Sequence, residues 1–256
     1  LDTYGPLAEA VLTTGAPSLP LLLSERRLDR SDPLVRGMQQ LLRLVAGRAP
    51  LSEGLALLEL PAVSACLEAI GTDPEMLADR LRASGITWGI NAAHRQALDA
   101  GTQDTGTWRG GLDRLLAGLW LGDADTASDA EQRPALPVSG DLGADPTSMS
   151  TSLDWLEGLV RLLEDWQSPT SPGRWAERMD QALDQLLGAG IDDAAPAAAV
   201  DLIDQLRAAE SEHACTLPME AAAVGDWLDQ AAQDEGRAGS RVAGSMAMGG
   251  FKPMRA

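Results

Sequence analysis

Apolar residues at helical spacing constrain the fold of this chain more than any other feature. In the segment "SDPLVRGMQQLLRLVAG", the residues Leu34, Met38, Leu41, Leu42 and Val45 recur every three or four positions, which places them on one face of a helix. Aromatic residues make up only 4% of the 256 residues, with one Phe and one Tyr, so side chains that favour strands are scarce. The pattern predicts a mainly α-helical protein.

Capping residues divide this pattern into separate helices. Ser31 or Asp32 can cap the first strongly amphipathic helix, because their side-chain oxygens accept hydrogen bonds from free backbone N–H groups. Ser52, Asp73 and Asn91 are suited to the same role at three later helix starts. The helix that follows Asn91 is predicted over roughly 91–99.

The rest of the chain continues the helical pattern with one interruption. A helix is predicted over 106–122, and four amphipathic helices are predicted over 151–238. Residues 123–150 are rich in Asp, Ser, Gly, Pro and Ala and lack periodicity, which indicates a linker or a long surface loop. A short helix and a brief strand are predicted within 1–32, and the glycine-rich tail 239–256 is predicted to form another strand. The buried side of the 106–122 helix is expected to carry Trp108, Leu112, Leu115, Leu116, Leu119 and Trp120.

The net charge of −18 argues against nucleic-acid binding by this chain alone. Affinity for nucleic acid comes largely from Lys and Arg that replace counterions, and the only lysine here is Lys252. No apolar run reaches the ~18 residues of a membrane span, so no membrane contact is expected. Cys66 and Cys215 lack metal-ligand spacing and are interpreted as reduced thiols of a cytoplasmic protein. Because the sequence starts with Leu1 rather than Met, we expect a fragment of a longer protein.

Candidate catalytic and metal-binding residues are few. Asp192 and Asp193 could suggest a metal site, but neighbouring helical residues point apart, and a favourable contact with the helix dipole is the simpler interpretation. His94 and His213 could act as bases, yet the chain has no Gly-x-Ser-x-Gly elbow to carry a nucleophile. The stretch "GTQDTGTW" lacks the lysine of a phosphate-binding loop. No catalytic, metal or cofactor site is therefore predicted in this chain.

The most distinctive stretch is "GITWGINAAHR", followed about twenty residues later by "TGTWRGG". Spacing alone favours packing over chemistry, with Trp88 and Trp108 as interior residues and His94 and Arg95 at the rim. Arg109 and Asp113 stand four residues apart on one helix, so they are expected to form a charged pair.

These two stretches resemble the gamma-chain family of exodeoxyribonuclease V, the RecC subunits of the RecBCD helicase–nuclease. "LPLLLSERRLDRSDPLVRGMQQLLRLV", "LSEGLALLELPAV" and the terminal "GSRVAGSMAMGGFKPMRA" are similar to other family segments in the same order. The residues that carry the resemblance are Trp88, Gly89, His94, Arg95, Thr107, Trp108, Arg109, Asp113, Arg114, Pro253, Met254 and Arg255.

The resemblance implies a helical insertion in a degenerate superfamily 1 helicase-like domain that has lost its ATP-binding residues. The insertion would comprise 33–122 and 151–238, joined by the loop 123–150. Residues 1–32 and 239–256 would supply short strands of the motor-like domain on either side.

The implied function is that of a non-catalytic structural segment in the ATP-dependent exodeoxyribonuclease V complex, which unwinds and degrades double-stranded DNA ends in recombinational repair. Its partners would be the beta and alpha subunits, with ATP and Mg on those subunits, and duplex DNA ends would be met through the whole complex. An alternative is a free-standing acidic helical adaptor without a DNA role. A helical hydrolase that uses His94 or His213 is a more distant alternative.

Overall fold

The computed structural model describes residues 21–23, 32–121, 146–187, 197–212, 214–238 and 246–248, and within them the chain is mainly helical. The helices are α1 (Pro33–Ala46), α2 (Leu51–Leu58), α3 (Pro61–Ala69), α4 (Pro74–Ala83), α5 (Ala92–Ala97), α6 (Trp108–Leu121), α7 (Pro146–Asp165), α8 (Pro172–Ala182), α9 (Ala197–Ser211) and α10 (Ala221–Ala238). A π-helical turn, Leu183–Leu187, continues α8. Two three-residue strands, β1 (Leu21–Leu23) and β2 (Met246–Met248), pair in parallel with Leu21 opposite Met246.

The helix starts follow the predicted caps. Of the two candidates at the start of α1, Asp32 is the cap, and its carboxylate accepts from the backbone N–H of Leu34 at 2.8 Å. Asp73 accepts from the N–H of Glu75 at 2.9 Å at the start of α4. Asn91 caps α5 by accepting from the His94 N–H at 2.9 Å. The caps Asp32, Asp73 and Asn91 are confirmed, because capping depends on residues adjacent in the chain. Ser52 is wrong as a cap, because it lies inside α2 and Pro50 stands at the N-cap position.

Helix α1 lies at the centre of the fold and contacts α2, α3, α7, α9 and α10. Gly37 allows close approach of the π-helical turn, since a Cβ atom at this position would lie 2.7 Å from Cδ2 of Leu187. Gln39 donates to a carboxylate oxygen of Asp229 on α10 at 2.7 Å. The helices before and after the predicted loop 123–150 therefore pack into one hydrophobic core.

The predicted loop is wrong at its C-terminal end, because α7 begins at Pro146. Ser152 shows why a composition rich in Ser and Thr does not exclude a helix at this end of the predicted loop. Its hydroxyl donates to the Met149 carbonyl at 2.8 Å and accepts from the buried Arg80 at 2.5 Å, so a residue typical of turns is fully buried inside a helix. A Ser/Thr-rich stretch can thus be helical where a tertiary partner satisfies its hydroxyl groups.

One predicted core position on α6 is also wrong. Leu119 is 39% exposed, whereas Trp108, Leu112 and Leu115 on the same helix are fully buried. The side chain of Trp120 lies outside the described part of the chain.

Several predictions fall outside the described residues. These are the helix within 5–15, the loop at 122–145, Asp192, Asp193, His213, Pro253, Met254 and Arg255. Among the helices that are described, none combines the length and the apolar character needed to span a bilayer.

A candidate structural site around Trp88 and Trp108

Trp108 is fully buried at the start of α6, as predicted. Its indole N–H donates to the carbonyl of Ala49 at 2.9 Å, so the one polar atom of the ring is satisfied. Gly54 on α2 leaves the space that the ring occupies, because a Cβ atom there would overlap Cη2 and Cζ2 of Trp108. Thr107 caps the helix by accepting from the Gly110 N–H at 3.1 Å. The ring therefore joins α6 to α2 and to the segment between α1 and α2.

Trp88 is partly buried, so the interior placement predicted for both tryptophans is complete only for Trp108. The Cζ atom of Arg48 lies 4.5 Å from the ring centre, and the Cζ atom of Arg95 lies 4.7 Å from it. Cation–π contacts of this kind stabilise an aromatic ring that remains at the surface. Trp88 is thus a partly buried ring that contacts two guanidinium groups.

Arg95 organises the loop that precedes α6 instead of standing free at a rim. Its guanidinium donates to the carbonyls of Trp88 at 2.9 Å, Gln103 at 3.1 Å and Thr105 at 2.7 Å. Gly89 is required beside it, because its φ of +86° suits glycine and a Cβ atom there would lie 3.0 Å from the Arg95 side chain. Three carbonyls of this loop therefore accept hydrogen bonds from one arginine side chain instead of from the backbone N–H groups of a helix or sheet.

His94 is buried, and its ring forms hydrogen bonds with backbone groups. The Ile90 N–H donates to Nδ1 at 3.3 Å, and the ring also hydrogen-bonds the backbone of Gly47. Burial lowers the pKa of His94 below its ordinary value of 6.5, and the Gly47 bond offsets part of this decrease. The neutral imidazole is thus the form that fits the fold, and it joins α5 to the end of α1.

We expect His94 to make the stability of the protein depend on pH between neutrality and pH 5. The unfolded chain binds a proton at His94 near pH 6.5 while the folded chain resists it, so its stabilising contribution is present above that pH and is lost as the pH falls. His94→Asn, which keeps an acceptor for the Ile90 N–H, should show a shallower decrease. Urea unfolding midpoints at pH 8, 6.5 and 5 measure the difference, and parallel curves for the two proteins would contradict it.

Arg109 pairs with Glu164 on α7 rather than with Asp113, so the predicted i,i+4 pair is wrong. Its Nε donates to Oε1 of Glu164 at 3.1 Å, and Nη2 donates to the second oxygen. Asn91 also donates to Oε1 at 3.1 Å. Burial alone would raise the pKa of Glu164, but the bonds from Arg109 and Asn91 hold the pKa below its ordinary value of 4.5. Burial raises the pKa of Asp113, and Arg109 only partly offsets this.

The remaining family-like residue with a described contact is Arg114, which donates to the Ser84 carbonyl at 2.6 Å. Gly85 leaves room for this guanidinium, because a Cβ atom there would overlap it. Arg114 therefore fixes the loop after α4 against α6.

Sequence reasoning missed a second cluster, which lies between α7 and α8. Arg178 is 5% exposed and donates to Oδ2 of Asp165 at 2.7 Å and to the carbonyl of Ser168 at 2.8 Å. Its Cζ atom lies 4.8 Å from the ring centre of Trp175, which packs edge-on against Trp166 at 5.4 Å. The spacing of Trp175 and Arg178, three residues apart on a helix, is the signal that could have found it.

Among the described residues, His94 does not line either of the two larger clefts. Two clefts of about 590 and 550 Å³ lie elsewhere, the first beside Glu157 and Trp166 and the second beside Leu58 and Ala78. In the described part of the chain, no three His, Cys, Asp or Glu side chains cluster closely enough to hold a metal ion. The motif residues with described side chains are used for packing, capping and loop closure.

Comparison with known proteins gives one consistent family. A model described as the RecBCD enzyme subunit RecC fourth domain matches residues 31–236. The RecBCD enzyme subunit RecC of Escherichia coli (strain K12) is 29% identical over 209 residues, which are 80% of this chain and 18% of that protein. That of Mycobacterium tuberculosis (strain ATCC 25618 / H37Rv) is 28% identical over 195 residues, 73% of this chain and 17% of that protein. The chain thus spans less than a fifth of the length of these curated relatives.

Proposed function

Because the chain belongs to the family of the RecC fourth domain, we propose that it serves as a non-catalytic structural segment of the gamma subunit of an exodeoxyribonuclease V complex. The observation that carries this proposal is the family match over residues 31–236, which covers nearly the whole helical body. The complex would unwind and degrade double-stranded DNA ends in recombinational repair. It would act in the cytoplasm.

The contacts of the motif residues support a structural role. The side chains that most suggest chemistry, His94, Arg95 and Arg109, are bound to backbone groups or to Glu164. A general base needs a pKa near the working pH and a free nitrogen beside the substrate. Burial lowers the pKa of His94, and its ring is held by the backbone of Ile90 and Gly47.

The paired strands support an insertion in a larger sheet. β1 and β2 stand at opposite ends of the described chain and pair in parallel, with all ten described helices between them. A two-stranded parallel sheet of three-residue strands is too small to be stable alone. We therefore infer that these strands belong to the degenerate superfamily 1 helicase-like domain. The beta and alpha subunits would supply the sites for ATP and Mg.

Association with these subunits tests the proposal against a free-standing adaptor. The full-length protein that contains this chain, mixed with its beta and alpha subunits, should form a stoichiometric complex that unwinds duplex ends when ATP is added. A full-length protein that is folded but never binds those subunits would contradict the proposal and favour the acidic adaptor.

We also expect no appreciable DNA affinity in residues 1–256 alone, because their net charge of −18 opposes contact with phosphates. Anisotropy with a duplex end at about 50 mM salt should show no binding at micromolar protein, since electrostatic affinity is strongest at low salt. Circular dichroism of the same sample serves as the control for folding. Sub-micromolar binding by the folded protein would contradict this expectation.

A further inference from the structure

We draw no further inference here: the strongest candidate, the cleft between α2 and α4 that is lined by Leu55, Leu58 and Ala78, carries nothing because the described part of the structure does not show what covers it.

Discussion

Replacing Trp108 with alanine is expected to lower the free energy of unfolding by about 3–5 kcal/mol, the range for removing a fully buried tryptophan. The variant would leave a cavity beside Gly54 and would also leave the Ala49 carbonyl without the indole donor. Urea unfolding followed by far-ultraviolet circular dichroism measures this change.

Arg109→Ala is the control for this experiment, because it changes the next residue of the same helix. The Arg109–Glu164 pair is about one quarter exposed, so its removal should cost only about 1 kcal/mol. Equal decreases for the two variants would contradict the conclusion that Trp108 holds the helices together.

Gly54→Ala is the second change for which we expect a large effect. It should lower the free energy of unfolding, although helix propensity favours alanine over glycine. Alanine in a helix interior is normally more stable than glycine by about 1 kcal/mol. At Gly54 the added methyl group would overlap the ring of Trp108, so we expect a net loss of about 1–3 kcal/mol.

Gly225→Ala on α10 is the matched control, because a Cβ atom there would lie 3.8 Å from the nearest atom, Cβ of Leu42. That variant should gain up to about 1 kcal/mol. The double variant Gly54→Ala/Trp108→Leu should be less destabilised than the sum of its single changes, since the smaller side chain relieves the overlap. Stabilisation by both glycine replacements would show that the Trp108 ring does not fill this space.

Local features of this fold could be predicted from the sequence because their causes lie within a few residues. Asp32, Asp73 and Asn91 cap helices through bonds to backbone groups two or three positions away. The helical class follows in the same way from the apolar periodicity of segments such as that of α1.

The errors concern partners that are distant in sequence. The carboxylate of Asp113 lies four residues after Arg109 in the sequence, but Arg109 pairs with Glu164, which is 55 residues later. Asn91 donates to the same carboxylate of Glu164. Trp88 is predicted to close the helical subdomain from inside, yet its ring is only partly buried and contacts the guanidinium groups of two arginines. The spacing of residues along the sequence cannot predict these contacts, because they depend on how α5, α6 and α7 pack together.

The stretches around Trp88 and Trp108 stand out in the sequence, but the sequence does not reveal their contacts. Arg48, whose guanidinium lies against the ring of Trp88, is in neither of these stretches. The next residue, Ala49, has a left-handed backbone with a φ of +48°, and alanine gives no sequence signal for that conformation.

The most direct test of a structural role for the motif is the activity of a complex that carries His94→Asn in its gamma subunit. The rate of ATP-dependent unwinding should be measured per assembled complex, which separates turnover from folding yield. We expect a rate within about twofold of the unchanged complex, because the bonds of His94 to described residues go to the backbone of Ile90 and Gly47. A complex that assembles normally but loses about a hundredfold or more of its rate, the scale of a missing general base, would contradict this account.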